Sequence, residues 1–177
     1  MGKSINWGQI DEAGTKVFRL HEGQSQVMKA RARFKAAIAG TGGGKTVLGS
    51  VWCYEQIARV ADSRDLSQEP IKGMIIAPTY PILVRATSPT FVSMLAGTDL
   101  EGRYIESKSR YELPQNMGTI WLMSADRYES LEGGQFDWAW LDEAGQMSYR
   151  SWVAIQGRLG QRQGPALLTT TPYTMNW

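Results

Sequence analysis

The chain has 177 residues, 42% of them apolar and 20% charged, with a formal net charge of +2. That is the composition of one globular domain with its own core, and the near-neutral charge does not by itself announce a nucleic-acid binder. One cysteine, Cys53, and one histidine, His21, exclude an internal disulfide, a cysteine metal cluster, a His-rich metal site and a histidine pair. No run of about eighteen apolar residues occurs, so no transmembrane helix is expected. The start, "MGKSINWGQIDEAG", lacks an apolar signal segment, and Asn6 stands where a myristoylation pattern wants Ser or Thr. Neither export nor a lipid anchor is expected.

Residues 1–22 are polar and without clear period, an N-terminal arm with a short helix around Trp7 to Ala13. A short helix is expected from Gln24 to Arg31. The basic run "KARARFK", with Lys29, Arg31, Arg33 and Lys35, reads as a solvated lead-in to the strand "RFKAAIA" (33–39). In "KTVLGSVWCYEQIARVAD" the apolar positions Val47, Leu48, Val51, Trp52, Tyr54, Ile57 and Val60 have helical spacing, as a helix half-buried on a sheet requires. "KGMIIAPTY" is a strand ended by proline, and residues 81–96 fit a helix that Pro81 starts. Strands follow in "RYIES", "RYELP" and "TIWLM", with "QNMG" as a turn, and then in "FDWAWLDEA". Last come a helix in "YRSWVAIQGRLG" and a strand in "PALLTTTP". Strands alternating with helices predict an α/β fold with a largely parallel sheet, whose ligands sit beyond the carboxyl ends of the strands. Trp138 and Trp140, alternating on one strand, read as core, as does Cys53.

The stretch "AAIAGTGGGKTVLGS" (36–50) lies between an expected strand and an expected helix. Ala39 takes the first place of the P-loop pattern, followed by Gly40, Thr41, Gly42, Gly43, Gly44, Lys45 and Thr46. Glycines let backbone N–H groups wrap a phosphate, and the following helix adds its positive N-terminal end. Lys45 is placed to reach the β- and γ-phosphates of ATP, and Thr46 to put its hydroxyl on Mg²⁺. In "WAWLDEA" an apolar strand ends in Asp142 and Glu143, the Walker B arrangement. There Asp142 holds the metal and Glu143 activates the attacking water. Together the two motifs point to a nucleotide-hydrolysing domain over 23–177, a P-loop NTPase fold of the ASCE type.

Read together, "HEGQSQ…RFKAAIAGTGGGKT", "IIAPTY", "YELPQNMGTIWLMSADRYESLEGGQFDWAWLDEA" and "LLTTTP" resemble the ATPase domain of bacteriophage terminase large subunits, from about His21 onward. The resemblance implies ATP hydrolysis that drives double-stranded viral DNA into a procapsid, in the host cytoplasm. It also implies a homo-oligomeric ring working with a portal and a small terminase subunit. Gln24 matches the family's adenine-reading glutamine, with Gln26 as the fallback. Thr169, Thr170 and Thr171 match the coupling motif that senses the γ-phosphate, with Thr170 as the nucleotide contact. Thr79 and Tyr80 resemble a segment near DNA, or form a turn; His21 reads as a surface residue.

The sequence departs from the family at two places. Thr41 and Gly42 stand where an arginine is often found in the loop, and Glu132 stands in "SLEGG" where arginine is common. Arg127, Arg150, Arg158 and Arg162 are the candidates for a cation on the γ-phosphate, within the subunit or on a neighbour's site. The family's nuclease carboxylates have no counterpart in the sequence, so no nuclease activity is expected of this chain. A superfamily-two helicase-like translocase and an ATP-binding module with little turnover alone are the alternative readings.

Overall fold

The computed structural model describes residues 8–10, 16–126 and 134–172. Strands β1 (Gly8–Ile10) and β2 (Lys16–Phe18) pair antiparallel, with Gln9 opposite Val17. This corrects the helix expected around Trp7 to Ala13: at 8–10 the backbone ladder offered by β2 outweighs the weak local preference of a glycine-containing segment. The Lys16 ammonium ties this hairpin to the body by donating to the carbonyls of Ser93, Met94 and Ala96, at 2.8, 3.1 and 2.8 Å.

Helix α1 (Glu22–Lys29) opens on a reciprocal cap: the Gln24 N–H donates to His21 Nδ1, and the His21 N–H donates to Gln24 Oε1. Then β3 (Phe34–Ile38) leads through the glycine loop into α2 (Lys45–Ala61), and β4 (Ile71–Ala77) follows. The helix expected over 81–96 is found as α3 (Tyr80–Ile82), a π turn (Leu83–Thr87) and α4 (Ser88–Leu95). A meander of β5 (Arg103–Ile105), β6 (Arg110–Glu112) and β7 (Gly118–Ser124) comes next, and then β8 (Trp138–Asp142), α5 (Tyr149–Gly160) and β9 (Ala166–Thr170).

Seven strands form one sheet in the order β3-β9-β8-β4-β7-β6-β5, parallel from β3 to β7 and antiparallel at β6 and β5. Its central strands are covered on both faces, which is why β8 is buried at every position. One face carries Trp138, Trp140, Ile75 and Ile120 against Leu48, Trp52 and Ile57 of α2 and Phe91 and Leu95 of α4. The other face packs Met74, Ile76, Ala139 and Leu141 against Ile155 and Leu159 of α5. Both tryptophans of β8 and Cys53 are fully buried, as the sequence led us to expect.

Parallel register sets the level of everything at the carboxyl edge. Asp142 lies beside Thr169, and Ile38 beside Thr170, so the exits of β3, β8 and β9 share one edge of the sheet. At the opposite edge the basic lead-in is more than solvated surface. Arg33 donates to the carbonyls of Gly164 and Leu159 and to Gln163 Oε1, fixing the entry to β9 beside β3. Among the described residues no helix is long and apolar enough to cross a membrane.

Candidate active site

The loop between β3 and α2 has the backbone its glycines permit. Gly42 (φ +80°) and Gly44 (φ +70°) take left-handed conformations that other residues adopt only with strain. A Cβ at Gly43 would lie 3.0 Å from the Ala39 side chain and 3.1 Å from the Gly40 carbonyl oxygen, so a side chain there would crowd the turn. Gly44 precedes α2 without a side-chain cap, which leaves the helix's first N–H groups facing the loop.

Lys45 is buried at the start of α2, and its ammonium donates to the carbonyls of Ala39 and Gly40, each at 3.1 Å. It also lies 3.7 Å from Glu143 Oε1. The Thr46 hydroxyl faces Asp142, 3.2 Å from Oδ2 and 3.5 Å from Oδ1. Glu143 adopts φ 52°, ψ 44°, a left-handed conformation uncommon outside glycine, where the chain leaves β8. Its carboxylate accepts from the Thr171 N–H at 3.0 Å and the Thr171 hydroxyl at 3.1 Å.

The three threonines of β9 and its exit have different partners. Thr169 donates to Asp142 Oδ1 at 2.9 Å, and Thr171 holds Glu143. Thr170 Oγ1 accepts from the Gly145 N–H at 3.0 Å, and a Cβ at Gly145 would come within 2.7 Å of that oxygen. Sequence reasoning missed two further threonines. Thr87, in the π turn, donates to Asp142 Oδ2 at 2.9 Å, and Thr90 of α4 lines the cleft. Neither belongs to a motif; both arrive through the packing of one helical segment against the carboxyl edge.

Burial pushes the Asp142 carboxyl above the ordinary carboxylate range, and neighbouring Glu143 adds to this, while the hydroxyls of Thr87, Thr169 and Thr46 pull it back. A buried acid in that state is a place where a cation is stabilising. The donor set, one carboxylate and one hydroxyl, is hard oxygen, and it fits Mg²⁺, which takes one or two carboxylates and completes its shell with water and phosphate oxygens. Among the described residues no group of three His, Cys, Asp or Glu forms a metal cage, so a metal here would share its shell with a ligand.

The cleft has a volume of about 340 Å³ and is lined by Lys45, Thr46, Thr90, Glu143 and Thr171 with the loop residues Thr41, Gly42 and Gly44. A larger hollow of about 560 Å³, between β5, β6 and the start of β7, holds none of these residues. Gln24 is brought to the loop, with its amide N–H donating to the Gly44 carbonyl at 3.0 Å and its amide oxygen accepting from the His21 N–H. His21 lies 3.4 Å from the Gly43 carbonyl through Nε2, so both residues brace the glycine loop. Gln26 turns away to Glu22. Tyr80 is exposed, and Thr79 precedes α3. Of the candidate arginines, Arg150 is exposed at the start of α5, whereas Arg162 pairs with Asp137 and Glu69 at the far end of β8. Arg127 and Glu132 lie outside the described residues.

A glycine loop feeding a helix, a second strand ending in Asp-Glu and a third strand between them define a P-loop NTPase fold of the ASCE type. No protein-family model matches the chain. Its sequence and fold are similar to the ATPase domain of phage terminase large subunits. The curated terminase large subunits of Thermus phage G20c and Thermus virus P23-45 are each 27% identical over 179 residues, which cover 90% of this chain. The chain spans about a third of their length (35%). The ATPase domain of the Thermus phage P74-26 large terminase superposes with a TM-score of 0.68 at 26% identity, covering 90% of this chain and 68% of that one. The fold is also that of a large terminase from a thermophilic bacteriophage in complex with ATP-gamma-S, with a TM-score of 0.66 at 13% identity over 84% of this chain and 37% of that one.

Proposed function

We propose that this chain is a Mg²⁺-dependent ATPase domain that powers translocation of double-stranded DNA into a viral procapsid. One observation carries the reading: Lys45, Thr46 and Glu143 line one cleft, with the buried Asp142 behind Thr46, on a fold shared with terminase ATPase domains. ATP phosphates occupy the glycine loop, with backbone N–H groups from residues 40–46 and the Lys45 ammonium around the β- and γ-oxygens. Thr46 and Asp142 hold Mg²⁺, which when bound offsets the negative charge of the phosphates. Glu143, steered by Thr171, accepts a proton from the water that attacks the γ-phosphorus as the bond to the β-phosphate oxygen breaks. Gln24 keeps one amide hydrogen and one oxygen lone pair beyond its loop contacts, enough for the adenine edge. Thr170, joined to Gly145 just after Glu143, connects β9 to the hydrolysis step.

In this reading the chain works as a homo-oligomeric ring with a portal and a small terminase subunit, in the host cytoplasm. Steady-state ATP hydrolysis with Mg²⁺ tests it, comparing the wild-type chain with Glu143→Ala. A general base contributes roughly 10²- to 10⁴-fold, so turnover in the variant is expected to fall by at least about a hundredfold while ATP binding persists. ATP binding without turnover in the wild-type chain would instead support a binding module. No ATP binding at all would overturn the phosphate-cradle reading.

A further inference from the structure

Asp142 is held by three hydroxyls, and they are not equivalent. Thr87 donates to Oδ2 and Thr169 to Oδ1, each at 2.9 Å, and both threonines are fully buried. Thr169 in turn accepts from Trp140 Nε1 at 2.9 Å, and its single proton faces the carboxylate at 2.9 Å more closely than the Leu141 carbonyl at 3.3 Å. Thr46 makes the longest contacts, at 3.2 and 3.5 Å to the two oxygens, and it alone of the three lines the cleft.

Thr87 reaches Asp142 from a different element, the π turn between α3 and α4, where the Ser88 N–H donates to the Leu83 carbonyl five residues back. Pro89 gives this turn a cause in the sequence. It lacks the N–H that a regular helix would donate to the Arg85 carbonyl, and its ring crowds that carbonyl, so the helix widens just before it. Single π turns of this kind are frequent at functional sites.

We propose that Thr87 is a positioning residue for the Asp142 carboxylate: with Thr169 it fixes one oxygen each, so that the carboxylate is held facing Thr46 and the divalent cation of a bound nucleotide. This rests on the nucleotide reading of the cleft. The Thr46 hydroxyl has one proton and two lone pairs, so it donates to Asp142 and still has a lone pair to turn toward a metal. Of the two hydroxyls on Oδ2, Thr87 makes the shorter contact, at 2.9 Å against 3.2 Å for Thr46, and it is the buried one. The π turn therefore belongs to the metal site although it contributes nothing to the cleft wall at Thr87.

The test uses Mn²⁺ as the probe, with ADP, and reads bound metal by electron paramagnetic resonance for the wild-type chain, Thr87→Val and Thr87→Ser. Valine keeps the shape and removes the donor; serine keeps the donor. Loss of a group that orients a metal ligand typically weakens metal affinity by about 10- to 100-fold. Thr87→Val is expected to lose at least about tenfold in Mn²⁺ affinity, with ADP affinity in EDTA and the melting temperature close to wild type, and Thr87→Ser to recover most of the loss. Wild-type Mn²⁺ affinity in Thr87→Val would overturn the proposal. So would a serine variant as weak as the valine one, or an equal loss of ADP binding in EDTA, which would mark a general structural role. A wild-type chain that binds neither ADP nor Mn²⁺ would overturn the nucleotide reading itself, and is told apart by that control.

Discussion

At the scale of single residues, the site is a matter of who holds each carboxylate. Glu143 is aimed by Thr171 through one backbone N–H and one hydroxyl. In Thr171→Val the N–H remains and the hydroxyl is lost, so the carboxylate keeps one anchor and gains freedom to turn toward Lys45, 3.7 Å away. A charge-assisted hydrogen bond is worth about 1.5–3 kcal/mol, so kcat is expected to fall by roughly tenfold or more. KM for ATP should stay close to wild type, because the hydroxyl touches the base and not the phosphate cradle. A rise in KM with kcat intact would show instead that Thr171 serves binding. The motif residues Lys45, Thr46, Asp142 and Glu143 were all legible, because their chemistry demands fixed residue types next to a strand end. Thr87 and Thr90 were not, since a threonine in a helix carries no signal of what it faces. Gln24 was legible as a residue but not in its placement, accepting from the His21 N–H and donating to the Gly44 carbonyl, partners that only the folded chain brings to it.

At the scale of elements, two junctions hold the site in register. The first is the approach of α2 to β8, where a Cβ on Gly49 would come 1.9 Å from the Trp140 ring. Gly49→Ala therefore has no room without moving the P-loop helix off the Walker B strand. Overpacking of this kind costs about 1–3 kcal/mol, and the melting temperature is expected to drop by several degrees, with hydrolysis reduced at temperatures where the variant is folded. An unchanged melting curve would show that the Trp140 ring yields freely. The second junction is Asp137, just before β8, which is buried and accepts from Arg64, Arg162 and the Lys72 N–H. Burial pushes its carboxyl up, but the hydrogen bonds from Arg64, Lys72 and Arg162 and the charge of Arg64 outweigh burial and hold it below the ordinary carboxylate range. A depressed folded value means that the stabilisation is complete above the unfolded carboxylate range and is lost as pH falls through the lower folded value. Asp137→Asn should thus destabilise by about 3–5 kcal/mol at neutral pH, and its disadvantage should shrink below about pH 4, as urea melts at several pH values would read. A gap that stays constant with pH would mean that the charge of Asp137 is not what matters. The elements themselves were legible where period and punctuation agree: α2, α5, β4, β8 and β9 lie where the apolar pattern put them. Two features escaped. The π turn follows from Pro89, a second proline inside a helical pattern whose start Pro81 already accounts for, and β1 exists only through its pairing with β2, which local sequence does not encode.

At the scale of the whole molecule, the open question is the charge that a hydrolysing site must meet. The γ-phosphoryl group in its transition state needs more positive charge than one lysine and one Mg²⁺ supply, and a further arginine is worth about 10³- to 10⁵-fold where it acts. Among the described residues that line the cleft, Lys45 is the one cation. Arg162 is committed to Asp137 and Glu69, the length of β8 away from the cleft, and Arg158 lies near the same end of α5. Arg150 stands exposed where α5 begins, near the carboxyl edge, in a position to face outward toward another molecule. The ring reading then predicts that turnover per subunit is low in dilute solution and rises steeply with protein concentration, as one subunit completes the site of the next. It also predicts that added Glu143→Ala chain, which cannot turn over ATP but still carries every arginine, stimulates dilute wild-type chain. A rate per subunit that is high and constant over the whole concentration range would place the arginine within the same chain. In that case Arg150→Ala should leave turnover unchanged.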